Sequence, residues 1–287
     1  TILHLTIAGG DHVGLFGGLA VGAEVTCLGV VDIDIRGAGH RVGALAGANR
    51  GVVTQCYSAG SIRCTGIDVG GLVGANHGTV ARCFSDGSVT SGSPVVGGLV
   101  GFNVGHLAQS YSSATVSGVA WVGGLVGSNW GQVTHCYSTG PTAGFFYVGG
   151  LVGRSLSGTT TSSFWDTRTS GLSMSSGGTA KTTSQMQTAA TFLQAGWDFV
   201  GETANGTEDV WRIDEGKDYP RFRWESPRLK YGGGSGTPDD PYLIFTAEQM
   251  NAIGTNIADW SRHFKLMADI ELSRFDGKDG RTAFNLI

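Results

Sequence analysis

One short motif recurs along the first half of the chain at nearly constant spacing. V-G-G-L-V-G occurs four times without change, and the variants V-G-A-L-A-G and V-G-L-F-G precede it. The valines that begin these motifs are Val13, Val42, Val69, Val96, Val122 and Val148. Their spacing is 29, 27, 27, 26 and 26 residues. A period of this length is typical of a stacked-repeat architecture, in which each repeat packs only on its neighbours.

Each repeat is rich in glycine and turn-forming residues, which disfavours a helix and predicts short strands. Within residues 68–94 we expect three strands separated by turns, at 69–74, 80–85 and 88–90. Such repeats predict an all-β fold, a parallel β-solenoid of about six rungs with a period of 26–29 residues. A rung is one complete turn of the solenoid. A sandwich or a propeller is the less favoured alternative.

Two columns of polar or small side chains recur at fixed positions in the repeats. The seventh residue after the leading valine is asparagine in four repeats, namely Asn49, Asn76, Asn103 and Asn129. A second column contains Cys56, Cys83, Ser110 and Cys136. Like residues of neighbouring rungs lie about 4.8 Å apart in a parallel stack. We therefore predict hydrogen-bonded asparagines at a corner, and small Cys or Ser side chains that point inward as free thiols and hydroxyls.

An aromatic column follows the Cys/Ser column directly. Strict strand alternation directs its side chains outward, although a bulge would reverse both columns. An outward aromatic column could be an exposed ladder, a face covered by another element, or a contact surface for a ligand, and ladder stabilisation is favoured over ligand binding. The candidate contact residues are Tyr57, Phe84, Tyr111 and Tyr137. A second group that could stack on sugar rings is Trp121, Trp130 and Trp165.

Charge is distributed unevenly and excludes some functional classes. Residues 1–180 hold 7 Lys+Arg and 7 Asp+Glu, out of chain totals of 19 and 23. A net charge of −4 gives no basic surface for nucleic acid, and no apolar stretch has the length needed to span a membrane. The five cysteines are an odd number, which leaves the disulfide state of Cys27 and Cys64 open.

The residue spacing predicts no catalytic, cofactor or metal site. Asp32 and Asp34 occur in a single repeat, whereas the histidines His77, His106 and His135 fall in three different columns and cannot gather on one metal. Asp239-Asp240 and the turn at 276–280 could hold Ca²⁺, but ordinary Asx turns are favoured there.

The repeats resemble a known family. V-G-G-L-V-G-x-N-x-G followed by a strand ending in C-Y-S-x-G, over residues 13 to about 166, is similar to the GLUG-motif repeats of bacterial surface proteins. Such repeats occur in secreted or wall-bound chains, including adhesin-like proteins and immunoglobulin A peptidases, where they accompany the catalytic part. The resemblance implies a bacterial, extracellular scaffold and supplies no catalytic residue.

The chain is expected to have three parts. Residues 1–170 form the solenoid, 171–230 a capping segment, and 231–287 a hinge followed by an α+β module. A helix that begins with a capping box at Thr182–Gln185 is expected to cover the open end of the stack. In GLUG arrays a segment like 236–287 usually opens a solenoid, so the chain resembles one period of a longer tandem protein, and we expect this module to dock on the first rung of the next copy.

Three functions remain open at this stage. The favoured one is a non-enzymatic structural module of a bacterial extracellular fibre, adhesin or matrix protein. The alternatives are a carbohydrate- or host-binding module that uses an aromatic ladder, and the stalk of a surface enzyme whose catalytic part lies elsewhere.

Overall fold

The computed structural model describes residues 1–225, 231, 234–255, 259–272, 277 and 283–284. The chain forms two compact units, Thr1–Phe222 and Arg223–Ile287. The first unit contains the repeats together with the segment that follows them. The hinge glycines 232–233, most of the 276–280 turn and residues 285–287 lie outside the described residues.

The predicted parallel β-solenoid is confirmed, with about six rungs and a period of about 27 residues. The outer face that carries the aromatic column is sheet I, made of β1 (Ile2–Leu3), β2 (Thr6–Gly9), β5 (Gly29–Gly37), β8 (Tyr57–Cys64), β12 (Phe84–Ser91), β16 (Tyr111–Ser112), β17 (Thr115–Ser117), β21 (Tyr137–Ser138), β22 (Thr142–Ala143), β26 (Phe164–Asp166) and β27 (Thr179–Lys181).

Three further sheets close the solenoid. Sheet II comprises β3 (Phe16–Leu19), β6 (Ala46–Asn49), β10 (Val73–Asn76), β14 (Val100–Asn103), β19 (Val126–Asn129) and β24 (Val152–Ser155). Sheet III comprises β4 (Glu24–Thr26), β7 (Val52–Thr54), β11 (Thr79–Ala81), β15 (His106–Ala108), β20 (Gln132–Thr134) and β25 (Thr159–Thr161). Sheet IV comprises β9 (Val69–Gly70), β13 (Val96–Gly97), β18 (Ala120–Gly123) and β23 (Phe146–Gly149).

Complete rungs contribute strands to all four sheets, and the prediction of three strands per rung was wrong. V-G-G-L-V-G is divided between sheets IV and II, and the strand expected at 80–85 breaks at Arg82 and Cys83. A left-handed backbone recurs at two positions in each rung, with φ of 45–54° before the Cys/Ser column and 53–68° before the leading valine, and the first of these interrupts the strand at Arg82. None of these residues is a glycine. Those before the Cys/Ser column are Cys27, Gln55, Arg82, Gln109, His135 and Ser162. Those before the leading valine are His12, Arg41, Asp68, Val95, Trp121 and Tyr147.

The register places like residues on one another along the stack. Val73 pairs with Val100, Asn76 with Asn103, and Phe84 with Tyr111. The leucines of the V-G-G-L-V-G motifs fill the interior and are fully buried, as are the valines of sheet II and Val53, Val80 and Val133 of sheet III, so that burial of apolar surface stabilises every rung. The core is therefore continuous along the solenoid axis.

The two adjacent glycines of the motif are required by close packing. A Cβ at Gly70 would lie 2.1 Å from the carbonyl oxygen of Val73, and one at Gly98 would lie 2.3 Å from Oγ of Ser112. No side chain fits at either position, because real Cβ atoms do not approach other atoms so closely. Close packing thus explains why glycine recurs in the V-G-G motifs.

A loop hydrogen-bonds to the last rung, at the edge where the sequence predicted a covering helix. The N–H of Gly150 donates to the carbonyl of Met174 at 3.0 Å, and that of Ser176 donates to the carbonyl of Val152 at 2.9 Å. Strand β27 then pairs with β26 and extends sheet I. Because this loop already bonds to the open edge, the helices that follow are free to pack elsewhere.

The helices of the first unit are short. They are α1 (Thr167–Ser170), α2 (Thr183–Met186) and α3 (Ala189–Leu193). The predicted capping box is present at Thr182 and Gln185, but the single helix expected there is interrupted at Gln187. Phe192 of α3 packs against the rings of Tyr137 and Phe164, on the side of the solenoid. An antiparallel pair, β28 (Trp211–Arg212) and β29 (Arg221–Phe222), completes this unit.

The second unit has its own small core. Strands β30 (Tyr242–Ile244) and β31 (Phe264–Leu266) pair in parallel, and helix α4 (Ala247–Thr255) lies between them in sequence. Tyr231, Ile244 and Ile253 are buried together. Across the described part of the chain, no helix combines the length and apolar character needed to cross a membrane.

Candidate functional sites: side-chain ladders and a covered aromatic face

The four asparagines form a continuous buried ladder. Nδ2 of Asn49 donates to Oδ1 of Asn76 at 2.9 Å, Asn76 donates likewise to Asn103 at 2.8 Å, and Asn103 to Asn129 at 2.9 Å. All four side chains are fully buried. Each Nδ2 also donates to the backbone carbonyl of the residue directly after the glycine of the next corner, for example that of His106 at 3.2 Å from Asn76.

The ladder adds to backbone pairing at the corner between sheets II and III, where the N–H groups of His77 and Gly78 donate to the carbonyl of Asn49. Oδ1 of Asn76 accepts from the backbone N–H of Gly78 at 3.2 Å as well as from Asn49. Its two donor and two acceptor bonds therefore use the full capacity of the amide, which is what a buried polar group requires. The ladder ends where Ser155 occupies the equivalent position and bonds to the carbonyl of Gly158.

The Cys/Ser column is a second hydrogen-bonded ladder. The N–H of Cys56 donates to Sγ of Cys83 at 3.4 Å, and the N–H of Cys83 donates to Oγ of Ser110 at 3.1 Å. Each side chain donates in turn to the carbonyl two residues before it, as Cys83 Sγ does to Ala81 at 3.1 Å. The sequence predicted small inward side chains but not their hydrogen bonds to the backbone of the neighbouring rung. All five cysteines lie among the described residues and are free thiols.

Burial keeps the thiol of Cys136 in the donor form. It raises the pKa of Cys136 to about 12, so that Sγ stays protonated at physiological pH. Sγ of Cys136 donates to the carbonyl of Thr134 at 3.1 Å, and the N–H of Cys136 donates to Oγ of Ser163 at 3.0 Å. Thiol and hydroxyl therefore serve the same purpose at this corner.

Replacing Cys83 by alanine is expected to destabilise the solenoid by about 1–3 kcal/mol, because the buried N–H of Cys56 loses its acceptor. The matched control is Cys83→Ser, which keeps a donor and an acceptor and imitates Ser110 one rung away. Equilibrium denaturation in urea measures the difference. If the two variants were equally stable, the hydrogen bond would contribute nothing and the column would be simple packing.

A third ladder crosses the interior and was missed in the sequence. Oγ of Ser58 donates to the carbonyl of Gly71 at 2.9 Å, Ser85 to Gly98 at 2.7 Å, and Ser138 to Gly150 at 2.6 Å. These serines follow the aromatic residue directly and tie sheet I to the turn between sheets IV and II. The recurrence of serine in C-Y-S was the signal available for it.

The aromatic residues stack along the outer side of sheet I. Tyr57 and Phe84 have ring centroids 4.9 Å apart, Phe84 and Tyr111 5.0 Å, and Tyr111 and Tyr137 4.8 Å, with planes within 7° of parallel. The column therefore points away from the solenoid interior, whereas Cys56, Cys83, Ser110 and Cys136 point into it and are fully buried.

Two of the four residues in this column are covered and not available to a ligand. Tyr111 is 0% and Tyr137 1% exposed, while Tyr57 and Phe84 are half-buried. The rings of Trp211 and Phe222 lie over the column, with 6.1 Å between Tyr137 and Trp211 and 5.6 Å between Tyr111 and Phe222. Of the three alternatives for the aromatic column, the structure contains the one in which another element covers this face.

Polar groups fix the covering segment, residues 186–222, in place. Nη1 of Arg221 donates to Oη of Tyr111 at 2.9 Å, and Oη of Tyr137 donates to the carbonyl of Pro220. Oη of Tyr219 donates to Asp166 at 2.8 Å, and burial together with this carboxylate raises the pKa of Tyr219 to about 12. The buried hydroxyls thus have partners, as such groups require.

The tryptophans proposed as a sugar platform do not form one group. Trp165 is 4% exposed and its Nε1 donates to the carbonyl of Leu172. Trp121 is half-buried beneath the guanidinium of Arg154, 4.5 Å from its ring centroid. Trp130 is 47% exposed on another corner of the solenoid.

Charged residues form isolated pairs. Asp32 lies at a bulge and bonds to Nδ1 of His4 at 2.6 Å, while Asp34 pairs with Arg36 at 2.9 Å and Arg63 at 3.6 Å. Within the described residues, no three His, Cys, Asp or Glu side chains are grouped so that they could hold a metal ion. Asp239 and Asp240 are exposed in a turn, and the 276–280 turn falls almost wholly outside the described residues, so Ca²⁺ binding stays untested.

Comparison with protein-family models matches residues 122–143 to the family described as the GLUG motif. The chain carries a GLUG motif. The matched residues include Asn129 and Cys136-Tyr137-Ser138, one member of each ladder. No curated protein and no solved structure matches the chain.

The GLUG motif can now be explained by geometry. Its glycines allow the rungs to approach, its asparagine bonds to the asparagine of the neighbouring rung at one corner, and its C-Y-S segment contributes to the corner ladder, the aromatic column and the bond across the interior. The GLUG motif and the solenoid fold fit a structural repeat protein.

Proposed function

We propose that this chain is a non-enzymatic structural module of a secreted or cell-surface bacterial protein, and that it assembles head to tail into an extracellular fibre, adhesin or matrix. Three buried ladders run along the repeats and occupy the recurring polar positions with hydrogen bonds. A stack of this kind is stabilised by contacts between nearest neighbours and can be extended by adding rungs.

The observation that carries the assembly proposal is the edge formed by the first rung. Strands β3 and β4 each pair on one side only, and within the described residues no strand pairs with their outer sides. Leu5, Ile7, Leu15 and Val25 pack against the core yet are only half-buried. An edge with free backbone groups and apolar side chains is a template for pairing with another chain.

The proposed partner of this edge is the second unit of another copy. Its strands β30 and β31 pair in parallel, as the strands of the solenoid do. The side chains of Leu266 and Met267 are 59% and 43% exposed. A contact between two different surfaces of identical chains leaves one surface of each kind free at the ends of the assembly. Unless the rotation between successive copies closes a ring, such a contact builds filaments. The extracellular, bacterial setting is supported by the GLUG motif alone.

The test compares the chain with Phe16→Lys, a change at a 37% exposed side chain on the outer edge strand. We expect electron microscopy of the concentrated wild-type chain to show unbranched filaments, and sedimentation to show mass rising with concentration. Phe16→Lys is expected to remain monomeric, because a charge on an edge strand opposes pairing. The matched control is Phe146→Lys, at a 66% exposed aromatic in β23, the last strand of sheet IV, at the other end of the stack from the first rung. Monomers at every wild-type concentration, or equal loss of assembly in the control, would overturn the proposal.

A further inference from the structure

A shallow groove runs along the outer corner between sheets II and III. It has a volume of about 290 Å³ and is open to solvent. One row of its lining is apolar, Val104 and Trp130, and a second row is polar, His106, Gln132 and Thr159, with Ser157 at one end. The polar row is a registered column, since His106 pairs with Gln132 and Gln132 with Thr159.

The groove is a consequence of the asparagine corner. Gly105 and Gly131 separate the two rows, and a Cβ at these positions would lie 2.0 Å and 2.1 Å from the carbonyl oxygens of Gly78 and Gly105. Stacking therefore requires glycine here, and glycine leaves the floor of the groove without side chains. The concavity is built by the same packing that builds the solenoid.

Trp130 is held in a fixed orientation while much of it remains in water. It is 47% exposed, and its ring centroid lies 6.3 Å from that of Phe102 at an interplanar angle of 69°. An edge-to-face contact of this kind is favourable and restrains the indole. A ligand that stacks on the indole would bury apolar surface without having to order the side chain first.

We propose that this groove binds a neutral oligosaccharide that lies along the solenoid axis. Sugar rings have an apolar C–H face that suits the indole of Trp130, and hydroxyls that suit the amide of Gln132, the imidazole of His106 and the hydroxyl of Thr159. No Lys, Arg, Asp or Glu lines the groove, so an acidic sugar would find no counter-charge. The columns repeat at the spacing of the strands, about 4.8 Å, which offers similar contacts to successive units of a chain.

The proposal is tested by isothermal titration calorimetry of the full chain with cellohexaose and N-acetylchitohexaose, two neutral hexasaccharides, and with hexagalacturonate as an acidic one. We expect at least one neutral hexasaccharide to bind and the acidic one not to bind. Trp130→Ala is expected to weaken binding about tenfold or more, since loss of about 1.4 kcal/mol of stacking corresponds to a factor of ten. Circular dichroism verifies that the variant is folded.

The control variant is Trp121→Ala, which removes a half-buried tryptophan that does not line the groove. It is expected to bind as the wild type does. Gln132→Ala, at an exposed position, gives a second measurement and is expected to weaken binding without affecting the fold. Failure of both neutral sugars to bind, unchanged binding by Trp130→Ala, or preference for the acidic sugar would each overturn the proposal. Phe16→Lys is expected to bind sugar as the wild type does, because Phe16 does not line the groove. The sugar-binding proposal and the assembly proposal can therefore be overturned independently of each other.

Discussion

Replacing Trp211 by alanine is expected to lower the free energy of unfolding of the first unit by about 3–5 kcal/mol, the usual cost of truncating a large buried aromatic. Trp211 is fully buried and its ring lies 4.4 Å from that of Phe222 and 4.7 Å from that of Trp197. It is the centre of the cluster that covers the aromatic column. Its loss leaves a cavity directly above Tyr111 and Tyr137, which the rigid stack beneath cannot fill.

The matched control for this prediction is Trp211→Phe. Nε1 of Trp211 is buried and has no hydrogen-bond partner in the described part of the structure, so phenylalanine removes an unpaired donor while keeping a ring. We expect this variant to cost less than about 1.5 kcal/mol. Guanidinium denaturation measures both variants, and limited proteolysis of residues 186–222 reports whether the covering segment has loosened. Equal losses in the two variants would show that ring packing is not the cause.

Replacing Asn76 by alanine is expected to cost about 3 kcal/mol or more, because one truncation removes four hydrogen bonds inside the solenoid. The bonds are those with Asn49, Gly78, Asn103 and the carbonyl of His106. Alanine offers no donor or acceptor and leaves a space too enclosed for solvent to reach readily. Thermal and urea denaturation of the variant provide the measurement.

His77→Ala is the matched control for Asn76→Ala. His77 is the next residue along the chain but its side chain is exposed, so its truncation is expected to change stability by no more than about 0.5 kcal/mol. A loss below about 1 kcal/mol in Asn76→Ala would mean that water or backbone adjustment replaces the ladder. Because repeats contact only their neighbours, the damage should be greatest in the rungs around Asn76.

The two predictions separate two sources of stability. The asparagine ladder acts within the stack and is repeated with the period of the sequence. The aromatic cluster acts between the stack and a segment that has no repeat, and it decides whether the outer face of sheet I meets water or protein. A binding function for that face is therefore replaced by a structural one, and the exposed Trp130 becomes the candidate for ligand contact.

The sequence by itself determined the period, the parallel stack, the asparagine column, and the inward direction of Cys56, Cys83, Ser110 and Cys136. These features could be predicted because a solenoid places residues one period apart on top of each other, so that a column in the sequence is a column in space.

Tertiary structure decided the rest. The left-handed corners at Arg82 and Val95 carry no glycine. The backbone N–H of each residue donates to the next rung, to the carbonyls of Ala108 and Ala120, and these bonds offset a local cost of about 1–2 kcal/mol for a left-handed backbone at a residue other than glycine. The covering of Tyr111 and Tyr137 depends on Phe192, Trp211 and Phe222, which come from a non-repeating segment far along the chain. No period links these residues to the column they cover, and only the folded chain brings them together.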